Sequence, residues 1–196
     1  MKHFATAISV LFHPLFIYYY TLSYFMLSAG WYYYFRPQSL FYYNLTLLLL
    51  TVVLPLIAGV LFEKDIFMKN ARSRLTPLII SAGFYFFAYY IFRSLPFPPF
   101  LLDYLLAAFI CLFLAYWITH LMKISLHAIS MGASISFFIY TYYNYGIDLR
   151  LVFAIIFLAA LVGSCRLYLK AHDLKEILSG YALGFIATTA AMLVTI

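Results

Sequence analysis

Three short stretches of this chain gather side chains that can hold and transform an anion. Lys69, Arg72 and Arg74 stand together; Lys123 is followed by Ser125 and His127; Arg166 is followed by His172 and Glu176. Cations beside imidazoles suit a phosphate group. Ammonium and guanidinium groups offset charge on its oxygens, and arginine's planar fork matches two of them at once. A histidine, with an unperturbed pKa of about 6.5, can move protons near neutral pH. Glu176 lies one helical turn beyond His172, where its carboxylate can accept from one ring nitrogen and fix the imidazole.

The rest of the chain must bring these stretches together inside a lipid environment. Hydrophobic residues make up 67% and charged residues 9%, with a mean hydropathy of +0.99, whereas a soluble domain carries about 25% charged residues. Crossing about 30 Å of hydrocarbon takes roughly 20 apolar residues in a helix, and backbone groups in lipid must pair internally. Alternating apolar and polar residues are absent, so an all-α, polytopic membrane helix bundle of six to seven transmembrane helices is expected. It forms a single transmembrane domain over residues 1–196.

Seven apolar runs are expected to be helical, at about 4–29, 41–62, 77–93, 100–121, 124–142, 149–164 and 174–195. Arg36-Pro37-Gln38-Ser39, Ser94 to Pro99 and Asn144 to Asp148 are the turn-forming links. Pairs and runs of tyrosine, Tyr18 to Tyr20 among them, fall near proposed ends, the level that amphipathic rings prefer. The first run is too long for a signal core and is interrupted by His13-Pro14, so a retained helix is expected. Cys111 and Cys165 imply no disulfide framework.

Alternating crossings place the links after the second, fourth and sixth helices on one face. Twelve of the eighteen charged residues fall in those links. Lysine and arginine then divide nine to three in favour of that face. Cations recruited to bind an anion are not topology signals, however, so the side of the membrane stays open. The net charge of +6 also suits anionic lipid headgroups. So little water-facing surface excludes a nucleic-acid partner. No His, Cys and carboxylate group has zinc spacing, and neither a metal nor another cofactor is expected.

The segment from Cys165-Arg166 to His172 and Glu176 resembles the third signature, S-R-x5-H-x3-D, of the type 2 phosphatidic acid phosphatase and haloperoxidase superfamily. Cys165 stands in place of the serine and Glu176 in place of the aspartate. Lys123-Ile124-Ser125-Leu126-His127 is similar to the second signature, P-S-G-H, with Ile124 and Leu126 replacing proline and glycine. Lys69 to Pro77 offers the residue types of the first, K-x6-R-P, at altered spacing. The resemblance covers a core of about residues 60–190 and is nearest a divergent bacterial membrane branch.

That resemblance implies a metal-independent lipid phosphatase of the bacterial inner membrane. His172 would attack phosphorus to form a phosphohistidine, and His127 would protonate the leaving oxygen. Lys69, Arg72, Arg74, Lys123, Ser125 and Arg166 would bind phosphate. The substrate would be a lipid phosphate or a polyprenyl pyrophosphate. Two other classes remain open, a catalytically silent binder of anionic lipid and a small transporter, although broken midplane helices or inverted repeats are not evident. Simpler roles also compete: Asp173 and Glu176 can form a helix-start box, Ser125 can bond its own helix, His13 and His120 can be packing or interfacial residues, and Asp103 can cap a helix or serve function.

Overall fold

A computed structural model describes residues 1–28, 36–62 and 75–194. Every regular element among them is helical: α1 (Lys2–Leu11), α2 (Pro14–Leu27), α3 (Pro37–Leu48), α4 (Leu54–Phe62), α5 (Leu75–Phe92), α6 (Pro99–Leu121), α7 (Leu126–Tyr145), α8 (Leu149–Tyr168) and α9 (Leu174–Val194). Five spans are long and apolar enough to cross a membrane: the rod Gln38–Phe62, α5, α6, α8 and α9. The bent pair α1 and α2 passes the same test only when taken together, which gives five to six candidate spans among the described residues.

Prolines and small caps set the boundaries. Pro14, Pro37 and Pro99 each open a helix, where the missing N–H costs nothing and the fixed φ already suits the helix. Asp148 caps α8 by accepting from the Arg150 N–H. Pro55 cannot donate within the rod and would crowd the preceding turn. A π-helical stretch, Leu49–Val53, joins α3 to α4 just ahead of it, and the Thr51 hydroxyl donates to the Leu47 carbonyl at 2.7 Å.

Two expectations change. The first run is broken, because His13-Pro14 ends α1 and starts α2 with a bend of 55°. The sixth continues through Tyr168, so Arg166 belongs to the last turn of α8 and only residues 169–173 form the link.

The fifth run is helical as expected, yet α7 falls short of the apolar test that its neighbours pass. Its position explains the composition. Eleven of its twenty residues are buried, including Ser130, Ser134, Ser136 and Thr141, and it packs against α2, α6, α8 and α9. A helix screened from lipid by other helices can be built from small and hydroxyl residues.

Glycines let α9 lie almost backbone to backbone on α7. A side chain at Gly184 would strike the Ile129 carbonyl, one at Gly132 the Tyr181 carbonyl, and one at Gly180 would come 2.8 Å from the Ser125 carbonyl oxygen. On the other side of α7, Tyr104 and Thr21 reach the Ser134 hydroxyl at 2.8 and 3.2 Å. The Tyr18 ring packs 5.5 Å from Tyr85 and 5.6 Å from Tyr104. Tyr18 is therefore a core residue rather than a boundary one. The exposed Trp117 and His120, with Tyr116, form an aromatic cluster at the end of α6.

Candidate active site

Local capping positions the histidine on the α8–α9 link. The Glu176 N–H donates to Asp173 Oδ1 at 2.8 Å, and the Asp173 N–H donates to Glu176 Oε2 at 3.4 Å. This reciprocal box satisfies donors that a helix start otherwise leaves open. The same Oε2 lies 2.6 Å from His172 Nδ1. Glu176 thus serves both the helix start and the imidazole. Because the carboxylate accepts, Nδ1 carries the hydrogen and Nε2 keeps its lone pair.

Lys123 stabilises this arrangement from the preceding link. Its ammonium donates to the Ala171 carbonyl at 2.7 Å and stands 3.6 Å from Glu176 Oε2. The Ser125 N–H donates to the Glu176 carbonyl at 3.3 Å, and the buried Ser125 hydroxyl caps α7 by accepting from Ala128 N–H. Neither Lys123 nor Ser125 is on the wall of the cavity described next. Both are bonded to the link and helix start that carry His172 and Glu176. Their neighbour His127 faces the opposite way along the first turn of α7, where its Nε2 meets the Ser9 carbonyl of α1 at 2.9 Å.

A cavity of about 390 Å³ lies at this end of the bundle, and His127, His172 and Arg166 share its wall. One helix end, one link and one helix start thus converge as the spacing of the motifs requires. Lys69, Arg72 and Arg74 lie outside the described residues. Among the described residues Arg166 is the one cation on that wall. The far wall is different in kind: Pro55, Gly59 and Val60 of α4 with Pro77 and Ser81 of α5.

Burial pushes the His172 imidazole down to about 4, opposed by its bond to Glu176 and reinforced by the Arg166 charge. A neutral ring at neutral pH is the form that keeps a lone pair on Nε2.

Sequence reasoning missed His13. It lines the same cavity, and its ring centroid lies 5.9 Å from that of His127 at an interplanar angle of 78°. The signal was present: His-Pro inside an apolar run is a cap followed by a first-turn proline. His120 instead turns back to the Tyr116 carbonyl at 2.9 Å. Asp103 is absent from the cavity wall. Among the described residues no three His, Cys, Asp or Glu side chains are grouped to hold a metal ion.

No family model matches the chain, no curated protein matches it, and no solved structure matches it.

Proposed function

We propose that the protein is an integral membrane phosphatase that hydrolyses a phosphomonoester or pyrophosphate of a lipid, embedded in a bacterial cytoplasmic membrane. The observation that carries this reading is the shared cavity wall of His127, His172 and Arg166. Residues about 45 positions apart meet there with one imidazole already fixed by a carboxylate.

In the first half-reaction His172 Nε2 attacks phosphorus, the bond from phosphorus to the lipid oxygen breaks, and the leaving oxygen takes a proton from His127. Nε2 of His127 is committed to the Ser9 carbonyl, so the transferred proton sits on Nδ1. In the second, water gives a proton to that same Nδ1 and attacks phosphorus. The P–N bond breaks, and phosphate and neutral His172 are released. Arg166 supports the charge on the oxygens in both steps.

A lipid substrate is favoured by the far wall. Leu56 and Val60 line the cavity and are also 40% and 61% exposed on the outer surface of the bundle. The cavity therefore touches the side of the molecule that apolar chains would cover. An acyl or isoprenoid tail can stay in that environment while its phosphate reaches the histidines.

The test is phosphate release by purified protein from a panel of lipid phosphates and polyprenyl pyrophosphates, with chelator present. Wild type should turn over at least one of them and accumulate an acid-labile, base-stable phosphoprotein. His172→Ala should abolish both signals, His127→Ala should slow release, and Arg166→Ala should weaken both. Saturable binding of lipid phosphate with no release by wild type would replace this reading with a silent anionic-lipid binder.

A further inference from the structure

We propose that His13 is a third imidazole of the phosphate site, donating its Nε2–H to a phosphoryl oxygen. The proposal rests on the phosphatase reading for the identity of the ligand and on separate geometry for the residue. Four observations converge. His13 lines the cavity shared by His127, His172 and Arg166. Its ring stands edge-on to His127 at 5.9 Å, with no hydrogen bond between them. It is half-buried in the bend between α1 and α2, so it is held by backbone on both sides.

The fourth observation fixes its hydrogen. The Leu15 N–H donates to His13 Nδ1 at 3.4 Å as the cap of α2. An accepting Nδ1 must be unprotonated, so in the neutral ring the hydrogen resides on Nε2. The capping bond therefore selects the tautomer that offers the cavity a donor. His172 is bonded through the other pattern, giving one N–H to Glu176 and keeping a bare nitrogen, and His127 gives its Nε2–H to the Ser9 carbonyl and its Nδ1 proton to the leaving oxygen. A phosphate monoester presents acceptor oxygens only, and Arg166 is the one cation among the described wall residues. A neutral donor at His13 serves an oxygen that neither the nucleophile His172 nor the leaving-group acid His127 reaches.

The fold exploits a chain break for this purpose. Were α1 and α2 one straight helix, residue 13 would be an interior position with no free backbone N–H for its side chain to cap. Pro14 forces the break, and the cap that the break requires is supplied by a side chain with a second polar atom.

His13→Asn separates the two duties, because asparagine is a strong cap but lacks the far nitrogen. His13→Ala removes both, and His13→Gln keeps a distant donor with a poorer cap. Each is measured for thermal stability, for kcat and KM with the lipid phosphate that wild type prefers, and for thermal protection by inorganic orthovanadate. His13→Asn is expected to unfold within about 2 °C of wild type, to raise KM about tenfold with a smaller change in kcat, and to need about tenfold more orthovanadate for equal protection. His13→Gln is expected to recover part of the KM.

A His13→Asn protein that matches wild type in KM and in orthovanadate protection, while His13→Ala loses only stability, overturns the proposal and leaves a capping residue. Should wild type release no phosphate, the phosphatase reading fails by itself. Orthovanadate protection then decides for His13: weakened protection in His13→Asn upholds it, and equal or absent protection in both proteins overturns it.

Discussion

The two walls of the cavity are built on opposite terms. On the wall formed by α7, α8 and α9, glycines bring backbones into contact, a reciprocal cap fixes the helix start, and Glu176 is engaged by His172, Lys123 and the Asp173 N–H together. On the α4 and α5 wall stand prolines, a glycine and aliphatic residues, and a side chain added at Gly59 would meet nothing within 4 Å. Catalytic groups need to be held to fractions of an ångström, whereas a hydrocarbon chain of variable length needs room. Rigidity is concentrated where bonds would break, and slack is left where tails would lie.

Breaking the tight wall should have the largest effect. Gly184→Leu drives a side chain into the Ile129 carbonyl and to within 2.8 Å of the Ala133 nitrogen. Separating α9 from α7 should cost about 3 kcal/mol, at the upper end for overpacking. Thermal unfolding should fall accordingly, and phosphate release should drop below detection because His172 and His127 no longer share one cavity wall. Wild-type behaviour from this variant would mean that the helices are not in register as described.

Glu176→Gln tests positioning without disturbing the helix start, since glutamine also serves in a capping box. It should unfold near wild type and lose about 100-fold in kcat with little change in KM, the scale of acid–base and orientation effects. A loss of stability without that kcat split would make Glu176 structural alone.

The pH dependence of stability is a third, smaller effect at the same wall. An unfolded His172 takes up its proton near its ordinary value of 6.5, while the folded ring does so only near 4. Between these values the unfolded state binds more protons, so stability is complete above about pH 6.5 and falls as pH drops toward 4. The slope from this one group is at most about 1.4 kcal/mol per pH unit. Unfolding of wild type and His172→Gln across pH 4 to 7 should show a shallower acid slope in the variant.

The roomy wall predicts the mildest change and the sharpest contrast. Gly59→Leu replaces a poor helix former in α4 and should leave stability unchanged or raised by about 0.5 kcal/mol. Its side chain would occupy the cavity, raising KM for long-chain lipid phosphates about fivefold. Hydrolysis of a short water-soluble phosphomonoester should be unaffected. Equal effects on both substrates would show that tails do not use this wall.

Much of this organisation was legible in residue order, for reasons specific to particular positions. Long apolar runs closed by prolines marked most helices, and Arg166, His172 and Glu176 stood out because their spacing resembles a phosphatase signature. Other features depend on distant partners. Lys123 and Ser125 carry types suited to phosphate, but local carbonyls and a helix start claim them first. Tyr18 reads as a boundary residue until Tyr85 and Tyr104 enclose it. Arg166 suggested an earlier end to its helix, since charge is a boundary signal; α8 instead carries it in the final turn, where a cation suits the helix dipole. His13 escaped notice because its significance lies 114 residues downstream, at His127.

The bond from His127 to the Ser9 carbonyl joins positions 118 apart, and the partner carboxylate of His172 comes later still. During synthesis, the earliest segment must therefore wait through most of translation before its counterpart emerges. Nascent fragments that stop short of α9 hold His127, Arg166 and His172 but lack Glu176, the carboxylate that fixes the His172 ring. On the phosphatase proposal, such unfinished chains would carry the attacking imidazole without the partner that orients it.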